Sequence, residues 1–527
     1  MTSVSPAHDV DLEGLQRETF GYFLNEASPV NGLMIDKTAQ NWPASIAATG
    51  LALACYPVSV ERGFMTRPAA VARTLATLRF FWNSEQGPEP DATGFQGFYY
   101  HFLDMQNGRR AWDSELSTVD TAFLLAGALT AASYFDADTA DESEIRDLGE
   151  ALYRRANWQW AQNQRLTVTH GWKPESGFLE YRWEGYDEAL LLYVLGLGSP
   201  TYPLPEQSYS AWSSTYRWQR AYGCNYLYAG SLFIHQLSHA WIDFRGIQDE
   251  FMRGKGIDYF ENSRRATLVQ QRYAIDNPLG FKSYGEHCWG VTASDGPGPG
   301  TLNVGGVERE LFDYIARGVP NGPDDGTIAP WAVAASLPFA PEIVLPALAY
   351  CIFQAKLTDF NSYGFKASFN PSHPGEPGNP YGWWVSPWHY GLNQGPIMLM
   401  VENHRTGLPW QLMRRCPHIV TGLKRAGFRG GWLDQPAKPF KAIPEAAPKS
   451  PPGSSGAAST GPPGSPPPGS PPPDSSAPGT EPSASVEPAL PASGAEPAGA
   501  PLSAADAAAA PNAMPPATRR KARRHPP

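Results

Sequence analysis

Helical periodicity runs through most of the chain. Between residues 12 and 26, for example, Leu15, Phe20, Phe23 and Leu24 recur at a spacing that places them on one face of a helix. Runs that alternate apolar and polar residues, as half-buried strands do, are few. The pattern predicts twelve helices, over 12–26, 44–56, 68–82, 118–134, 142–164, 186–197, 228–237, 259–277, 307–317, 329–335, 342–357 and 391–406.

Long segments rich in Trp, Tyr, Gly and Pro join these helices. Loops beyond about 15 residues inside a compact domain are usually functional, because ordering them costs conformational entropy. No repeat of fixed period is evident, so we do not expect a solenoid. Twelve helices with such connections fit an all-α fold, an (α/α)6 toroid whose loops build a cleft at one end. The loops span 85–113, 165–185, 198–226, 280–304 and 358–390.

Composition divides the chain into two parts. Of the 53 Pro, 23 lie in 441–527, a stretch without Phe, Trp or Tyr. Such a segment is unable to bury a core and is typical of a disordered spacer. We therefore predict a helical domain over 1–436 and a disordered tail rich in Pro, Ala, Ser and Gly over 437–527, with a basic end that we interpret as solvated.

The net charge and the cysteine spacing indicate which classes of ligand and which kinds of site the chain has. The net charge of −10 argues against nucleic-acid binding, which needs basic patches, and favours a neutral ligand. No apolar run approaches 18 residues, so the sequence predicts no membrane span. We expect a monomer without a cofactor. The five cysteines show no CxxC spacing and are interpreted as buried thiols, not as a disulfide framework or a metal site: Cys55, Cys224, Cys288, Cys351 and Cys416.

The N-terminus lacks the basic start and the apolar stretch of a secretory signal. The expected location is therefore the cytoplasm. A misassigned start codon would leave a periplasmic or secreted location open.

Carboxylates gather beside two apolar helices. Glu115 and Asp120 lie at the start of the predicted helix 118–134. Ser117 and Asp120 also have the form of a capping box, so a helix cap and a cleft residue both remain open for Asp120.

The second group of acids, Asp187 and Glu188, follows the aromatic residues Trp183 and Tyr186 and precedes an apolar run. Acids in a first helical turn often only complement the helix dipole, and that interpretation remains for Asp187. For Glu188, the aromatic surroundings favour a raised pKa, which a general acid at neutral pH requires.

Three polar side chains recur at helical spacing further along. His235, His239 and Asp243 stand at i, i+4 and i+8, with Arg245 just after them. That spacing is compatible with metal ligation, but no HExxH glutamate follows the first histidine, and we expect no metal. Hydrogen bonding to polar substrate groups and satisfied core histidines remain as alternatives.

Two irregular segments pair aromatic and polar residues. Glu286 and Trp289 place a carboxylate beside an indole, which suits sugar recognition, because C–H faces stack on rings and carboxylates accept hydroxyl protons. Trp383, Trp384 and Trp388 belong to a Gly- and Pro-broken run of five large aromatics, which favours a binding platform over a buried core. The run 324–327 is expected to begin a helix.

Several ordered motifs together resemble a known family, the glucoamylase-like family, which includes bacterial endo-β-1,2-glucanases and related domains of cyclic β-1,2-glucan synthases. The resemblance covers about residues 12–430. It implies an (α/α)6 toroid that cleaves or transfers β-1,2-linked glucose polymers. The motifs are HGWKPESGFLEYRWEGYDEALLLYVLGLGSPTYPLP, HQLSHAWIDFRG, GIDYFENSRRATLVQQRYAI, YGEHCWGVTASDGP and GLNQGPIMLMVENHRTG.

The resemblance also implies roles for three acids. The glutamate of the family's GY-[DN]-E-[AC] element falls on Glu188, which would be the proton donor to the leaving oxygen. The acids of the SELS-x-x-DTA element fall on Glu115 and Asp120, which would line the opposite wall of the cleft and assist water or hold the sugar. The implied function is a β-1,2-glucan hydrolase working with inversion by general acid and base.

Other functions remain open at this stage. A retaining transglycosylase would use the same acids, and a non-catalytic carbohydrate-binding protein would keep the aromatics alone. A uronate lyase is less favoured, because its cleft would need cationic groups and the aromatic loops are poor in Arg and Lys.

Overall fold

The computed structural model describes residues 9–359 and 363–435. The predicted tail over 437–527 and its basic end lie outside the described residues. The boundary at 436 therefore stays a prediction.

Helices are the predominant secondary structure of the described chain. Short 3-10 segments lie at Leu232–His235, Leu237–Ala240 and Gly431–Asp434, and one π-helical turn at Tyr350–Gln354 continues α12. The α-helices are α1 (Leu12–Asn25), α2 (Ile46–Glu61), α3 (Arg67–Asn83), α4 (Thr118–Tyr134), α5 (Ala140–Arg155), α6 (Trp158–Ala161), α7 (Leu190–Gly198), α8 (Gln207–Ser213), α9 (Glu250–Lys255), α10 (Tyr259–Asp276), α11 (Pro330–Ala335), α12 (Pro341–Ala349), α13 (Gly391–Arg405), α14 (Leu408–Arg415) and α15 (Pro417–Arg425).

Six of these elements form a closed inner ring. α2 packs against α4 and α13, α4 against α7, and α13 against α11. The 3-10 segments at 232–240 close the ring, because Leu191 N of α7 donates to Ser238 Oγ (3.1 Å) and Gln236 Nε2 donates to Ala332 O of α11 (2.6 Å). Each inner element packs against one outer helix. The pairs are α2 with α3, α4 with α5, α7 with α15, 232–240 with α10, α11 with α12, and α13 with α1. This is the predicted (α/α)6 toroid.

Small residues let the inner helices approach closely. A Cβ atom added to Gly127 of α4 would lie 2.0 Å from Gly50 O of α2, and one added to Gly50 would lie 2.4 Å from Phe123 O. Both helices are apolar around their whole circumference and buried, as inner elements of a double ring must be. Glycine at these two positions therefore permits the tight α2–α4 contact.

Short strands lie in the segments that connect the helices. A five-stranded antiparallel sheet has the order β2-β3-β5-β6-β7, and the remaining strands form two-stranded pairs: β1 with β4, β8 with β9, β10 with β13, β11 with β12, and β14 with β15. The bounds are β1 (Ala44–Ser45), β2 (Gly94–Phe95), β3 (Phe98–Tyr100), β4 (Phe102–Leu103), β5 (Leu116–Ser117), β6 (Gly171–Lys173), β7 (Gly177–Phe178), β8 (Trp218–Ala221), β9 (Cys224–Leu227), β10 (Ala293–Ser294), β11 (Gly300–Val304), β12 (Val307–Leu311), β13 (Ile315–Ala316), β14 (Phe369–Asn370) and β15 (Trp384–Val385).

Two local predictions are wrong. The segment 307–317 is not a helix, because Val307–Leu311 pairs with Gly300–Val304 in a hairpin turned by two glycines of positive φ. The run 324–327 does not begin a helix either. It forms turns capped by its own aspartates, and α11 begins only at Pro330.

The cysteine and membrane expectations can also be compared with the described residues. All five cysteines are free thiols, four of them buried and Cys224 half-buried. Within the described ranges, no helix is long and apolar enough to cross a membrane.

Candidate active site

A cavity opens at the N-terminal ends of the inner helices. Its volume is about 730 Å³, including the space that opens to solvent. Loops that precede α2, α4, α7 and α13 supply half of its lining residues, because the chain enters each of these inner helices at this end of the ring. The lining residues are Asp36, Lys37, Trp42, Ser45, His101, Phe102, Val119, Asp120, Phe123, Glu188, Phe233, Leu237, Tyr314, Tyr390, Leu392 and Asn393.

Glu188 is the most deeply buried acid of this wall. It lies in the turn just before α7, and its side chain is 2% exposed. Its Oε2 atom is buried and makes no hydrogen bond. Burial first, and then the neighbouring carboxylates of Asp187 and Asp120, raise the pKa of Glu188 well above its usual range. A raised pKa favours the protonated form of Glu188, which is the form that a proton donor needs.

Asp187 stabilises the turn before α7 and also affects the pKa of Glu188. Its Oδ1 atom accepts hydrogen bonds from Trp212 Nε1 and Ala189 N, both at 3.0 Å. These bonds fix the turn that leads into α7. Burial raises the pKa of Asp187 to about 7, and the Trp212 hydrogen bond opposes that rise.

A histidine that the sequence analysis did not single out joins the two other predicted acids. His101 Nδ1 lies 2.9 Å from Glu115 Oε1, and His101 Nε2 lies 3.7 Å from Asp120 Oδ2. Burial disfavours the imidazolium, but the carboxylates of Asp120 and Glu115 outweigh it and raise the pKa of His101 to about 10. The five-stranded sheet positions this group, since His101 follows β3 and Glu115 precedes β5.

Asp120 is both close to a helix cap and part of the cavity wall. Ser117 is the N-cap of α4, and its Oγ accepts from Asp120 N at 3.3 Å. The Asp120 carboxylate does not reach back to the backbone, as a capping box would require, but accepts from Ser117 Oγ and faces His101. Burial raises the pKa of Asp120 above its usual value, and His101 and the Ser117 hydroxyl offset that rise only in part.

Asp120 and Glu188 stand at neighbouring inner helices, α4 and α7. The resemblance implied that Glu115 and Asp120 line the opposite wall of the cleft from Glu188. The structure places Asp120 beside it in the ring instead, and Glu115 behind His101 outside the lining.

Asp36 and Lys37 also line the cavity and were missed, because no local pattern marks the loop that carries them. Asp36 Oδ2 accepts from Trp42 Nε1 at 3.0 Å, and burial raises the pKa of Asp36. Lys37 Nζ lies 4.0 Å from the centroid of the Trp42 ring and donates to Tyr390 OH at 3.2 Å. The wall here combines charge with aromatic faces, which suits a polyhydroxylated ligand.

Several predicted binding residues lie behind the cavity in the packed core. Trp183 donates from Nε1 to Thr118 Oγ1 at 3.0 Å and stacks on His170. Tyr186 packs edge-on against His235, with ring centroids 5.2 Å apart. Neither Trp183 nor Tyr186 is among the lining residues.

The predicted histidines are buried and partnered by the protein itself. His235 Nε2 lies 3.3 Å from Ala229 O, and His239 Nε2 lies 3.0 Å from Ser263 Oγ. Burial lowers the pKa of His235 to about 4 and that of His239 to about 3, so both rings are neutral. These contacts agree with the alternative of a satisfied core histidine for His235, whereas His239 is a core histidine whose Nδ1 atom is buried without a hydrogen-bond partner.

The remaining predicted residues are scattered. Asp243 forms ion pairs with Arg245 and Arg414 away from the cavity. Glu286 is exposed and Trp289 is buried, and neither reaches the lining. Among the described residues, no group of three or more His, Cys, Asp or Glu side chains is arranged to hold a metal ion.

The aromatic run contributes Tyr390 to the cavity lining and brings Trp388 next to it. Trp388 is half-buried, with its ring centroid 5.6 Å from Lys37 Nζ. Trp383 packs against the core, and Trp384 is part of β15. Of the three tryptophans, Trp388 is therefore the one whose ring faces a lining residue, Lys37.

Comparisons with known proteins agree with this architecture. The family model described as "Putative glucoamylase" matches residues 180–417. A crystal structure of the same description from Bacteroides uniformis is 31% identical, covers 82% of this chain and all of its own, and superposes with a TM-score of 0.71. An endo-β-1,2-glucanase from Chitinophaga pinensis, solved with sophorotriose and glucose, is 25% identical over 80% of this chain and 98% of its own, with a TM-score of 0.69.

A curated relative adds a named activity. The exo β-1,2-glucooligosaccharide sophorohydrolase of Parabacteroides distasonis is 28% identical over an alignment of 448 positions that covers 79% of this chain. The match spans only 57% of that protein's length.

Proposed function

The chain belongs to the glucoamylase-like family, and on that premise we propose that it is a glycoside hydrolase that cleaves β-1,2-glucan with Glu188 as the proton donor. The named activities of the Parabacteroides and Chitinophaga relatives support the linkage. The observation that carries the proposal is the Glu188 carboxyl, which is buried at a cavity wall with its Oε2 atom unpartnered and its pKa raised. A buried polar atom without a partner lowers stability, so its retention indicates a functional use.

Asp120 is the carboxylate that we assign to water activation. The imidazolium of His101 lies beside it and favours its ionised form, which a general base needs. Glu115 is hydrogen-bonded to the other ring nitrogen, Nδ1, and so acts as a positioning residue for His101. In this scheme Glu188 protonates the glycosidic oxygen while a water deprotonated by Asp120 attacks the anomeric carbon, with inversion.

The test of this function is a linkage screen. Purified protein is incubated with β-1,2-, β-1,3-, β-1,4- and β-1,6-glucans, and products are sized. We expect products from the β-1,2-linked polymer alone. NMR of the first products separates the chemistry, because inversion releases the α-anomer, whereas a retaining transglycosylase releases the β-anomer. Binding without any product would instead indicate a carbohydrate-binding protein.

A second prediction concerns His101. In His101→Gln the cation next to Asp120 is lost, so the pKa of Asp120 rises and the base is protonated at higher pH. We expect the acidic limb of the kcat profile to move up by about one pH unit, so that kcat falls about tenfold at pH values below the limb and changes little well above it. The measurement is kcat against pH on β-1,2-glucan.

The matched control for that variant is His170→Gln. His170 is also buried, but burial lowers its pKa to about 4, so it carries no charge at neutral pH. Its loss is expected to leave the acidic limb in place. A purely structural role for His101 would reduce activity without moving the limb, and that result would contradict the assignment.

A further inference from the structure

An aromatic ladder leads from the cavity to the protein surface. Trp42 and Phe102 line the cavity, and Trp112 lies beyond both of them. The ring centroid of Trp112 is 4.6 Å from that of Trp42 and 5.2 Å from that of Phe102. A polymer longer than the cavity must leave it somewhere, and this ladder is a continuous apolar path outward from the lining.

Trp112 is exposed although it is one of the largest apolar side chains. It is 41% exposed, and Asp113 next to it is also exposed. An exposed indole that continues a cavity wall is typical of a ligand contact, whereas isolated exposed apolar residues elsewhere need no explanation.

The backbone holds Trp112 and Asp113 in an unfavourable conformation. Their φ angles are +57° and +50°, in the left-handed region that favours glycine. The turn is fixed on both sides, because Ala111 N donates to Phe102 O at 3.0 Å and Ser114 N donates to Ala111 O at 3.1 Å. Such strain persists where the surrounding structure enforces it, and it concentrates at functional sites.

We propose that Trp112 and Asp113 form an additional glucosyl-binding subsite outside the cavity, which holds a sugar unit of the same glucan chain that enters the site of Glu188. The indole would stack on the C–H face of the sugar, and the Asp113 carboxylate would accept hydrogen bonds from its hydroxyls. This inference rests on the proposed function, because the ligand is the substrate polymer. Trp112 would therefore make the enzyme prefer long glucan chains over short ones.

The test uses affinity, so that it does not depend on turnover. Glu188→Gln protein, with and without Trp112→Ala, is titrated by calorimetry with a β-1,2-linked trisaccharide and with the β-1,2-linked polymer. We expect Trp112→Ala to weaken polymer binding about tenfold, the size of one lost stacking contact, and trisaccharide binding by a smaller factor. In the otherwise wild-type enzyme, the ratio of kcat/KM on the polymer to that on the trisaccharide falls correspondingly.

Trp82 supplies the matched control. It is also 41% exposed, but it lies on α3 against Arg155, away from the cavity. We expect Trp82→Ala to leave both affinities unchanged. Equal affinity of Trp112→Ala and its parent for the polymer would overturn the subsite. So would a change in oligomeric state on size-exclusion chromatography with unchanged glucan affinity, since the indole would then be a protein contact.

Failure of the proposed function is a separate result. If the enzyme cleaves no glucan but the Glu188→Gln protein binds the polymer more weakly after Trp112→Ala, the subsite holds and hydrolysis does not. If neither protein binds any glucan of the linkage screen, both proposals are wrong.

Discussion

Glu188→Gln is expected to reduce kcat on β-1,2-glucan by about 10²- to 10⁴-fold, the usual contribution of a general acid. The amide keeps the volume of the side chain but has no proton to give the leaving oxygen. The wild-type enzyme should also lose activity as the pH rises through the raised pKa of Glu188. The variant should lack that alkaline limb in a plot of kcat against pH.

Stability separates a catalytic loss from a folding defect. Because the folded-state pKa of Glu188 is raised, the folded protein retains a proton that the unfolded chain releases, so Glu188 lowers stability as the pH rises above its ordinary pKa. Glu188→Gln removes that cost. We expect an unfolding temperature equal to or above that of the wild type, with the difference growing towards alkaline pH.

The control for this variant lies four residues upstream. Glu184 is exposed and accepts a hydrogen bond from Thr167 Oγ1 at 2.8 Å, outside the cavity lining. Glu184→Gln should retain wild-type turnover. Near-normal turnover in Glu188→Gln would mean that another group donates the proton, and the role assigned to Glu188 would be wrong.

How far the sequence predicts this fold depends on how local the signal is. Thr118–Tyr134 is found with the predicted bounds, because a long apolar run behind an N-cap serine is a strong local pattern. The segment Val307–Leu311 was misread, although Gly305 and Gly306 between two short runs are a hairpin signal. Its alternation competed with a weak helical spacing over the same residues.

The cavity shows where local patterns end. Glu188 and Asp120 were found, because each lies beside a strongly apolar helix and in a recognisable motif. Asp36, Lys37 and His101 come from loops, and decisive partners such as Tyr390 for Lys37 and Asp120 for His101 lie more than ten residues away in the chain. Nothing in their immediate sequence predicts that ring closure brings them to one wall.

The same limit explains the predicted residues that lie elsewhere. His235 and His239 have the spacing of ligands on an α-helix, but their segments are 3-10 helices that pass through the core. Whether a buried histidine is satisfied by Ala229 O or Ser263 Oγ depends on chain segments that the spacing does not contain. Spacing therefore identifies candidates, and packing decides among them.

A buried ion pair beneath the cavity loops provides the other large expected effect. Arg317 and Asp325 are both fully buried and form two parallel hydrogen bonds of 2.8 Å. Arg317 also donates to Ser294 O of β10 and to Phe312 O. Phe312 lies in the loop between β12 and β13 that carries Tyr314 to the cavity. Asp325→Ala would leave the guanidinium buried without its counter-charge. We expect it to lower the free energy of unfolding by about 3–5 kcal/mol, measured by urea unfolding.

The pH dependence of that loss identifies its cause. Burial alone would raise the pKa of Asp325, but the Arg317 hydrogen bonds outweigh it and lower the pKa. The stabilisation is therefore fully present above the unfolded pKa of about 3.9, and it is lost as the pH falls through the lower folded value. The difference between wild type and Asp325→Ala should accordingly shrink in acid.

An exposed pair makes the matched control for the buried one. Arg79 and Glu144 form a 2.6 Å ion pair on the surface, with side chains 48% and 39% exposed. Solvent screens such pairs, so Glu144→Ala should cost only about 0.2–1 kcal/mol. If Asp325→Ala cost no more than Glu144→Ala, the buried pair would not be what holds the Tyr314 loop, because removing the counter-charge would then have left Arg317 adequately solvated.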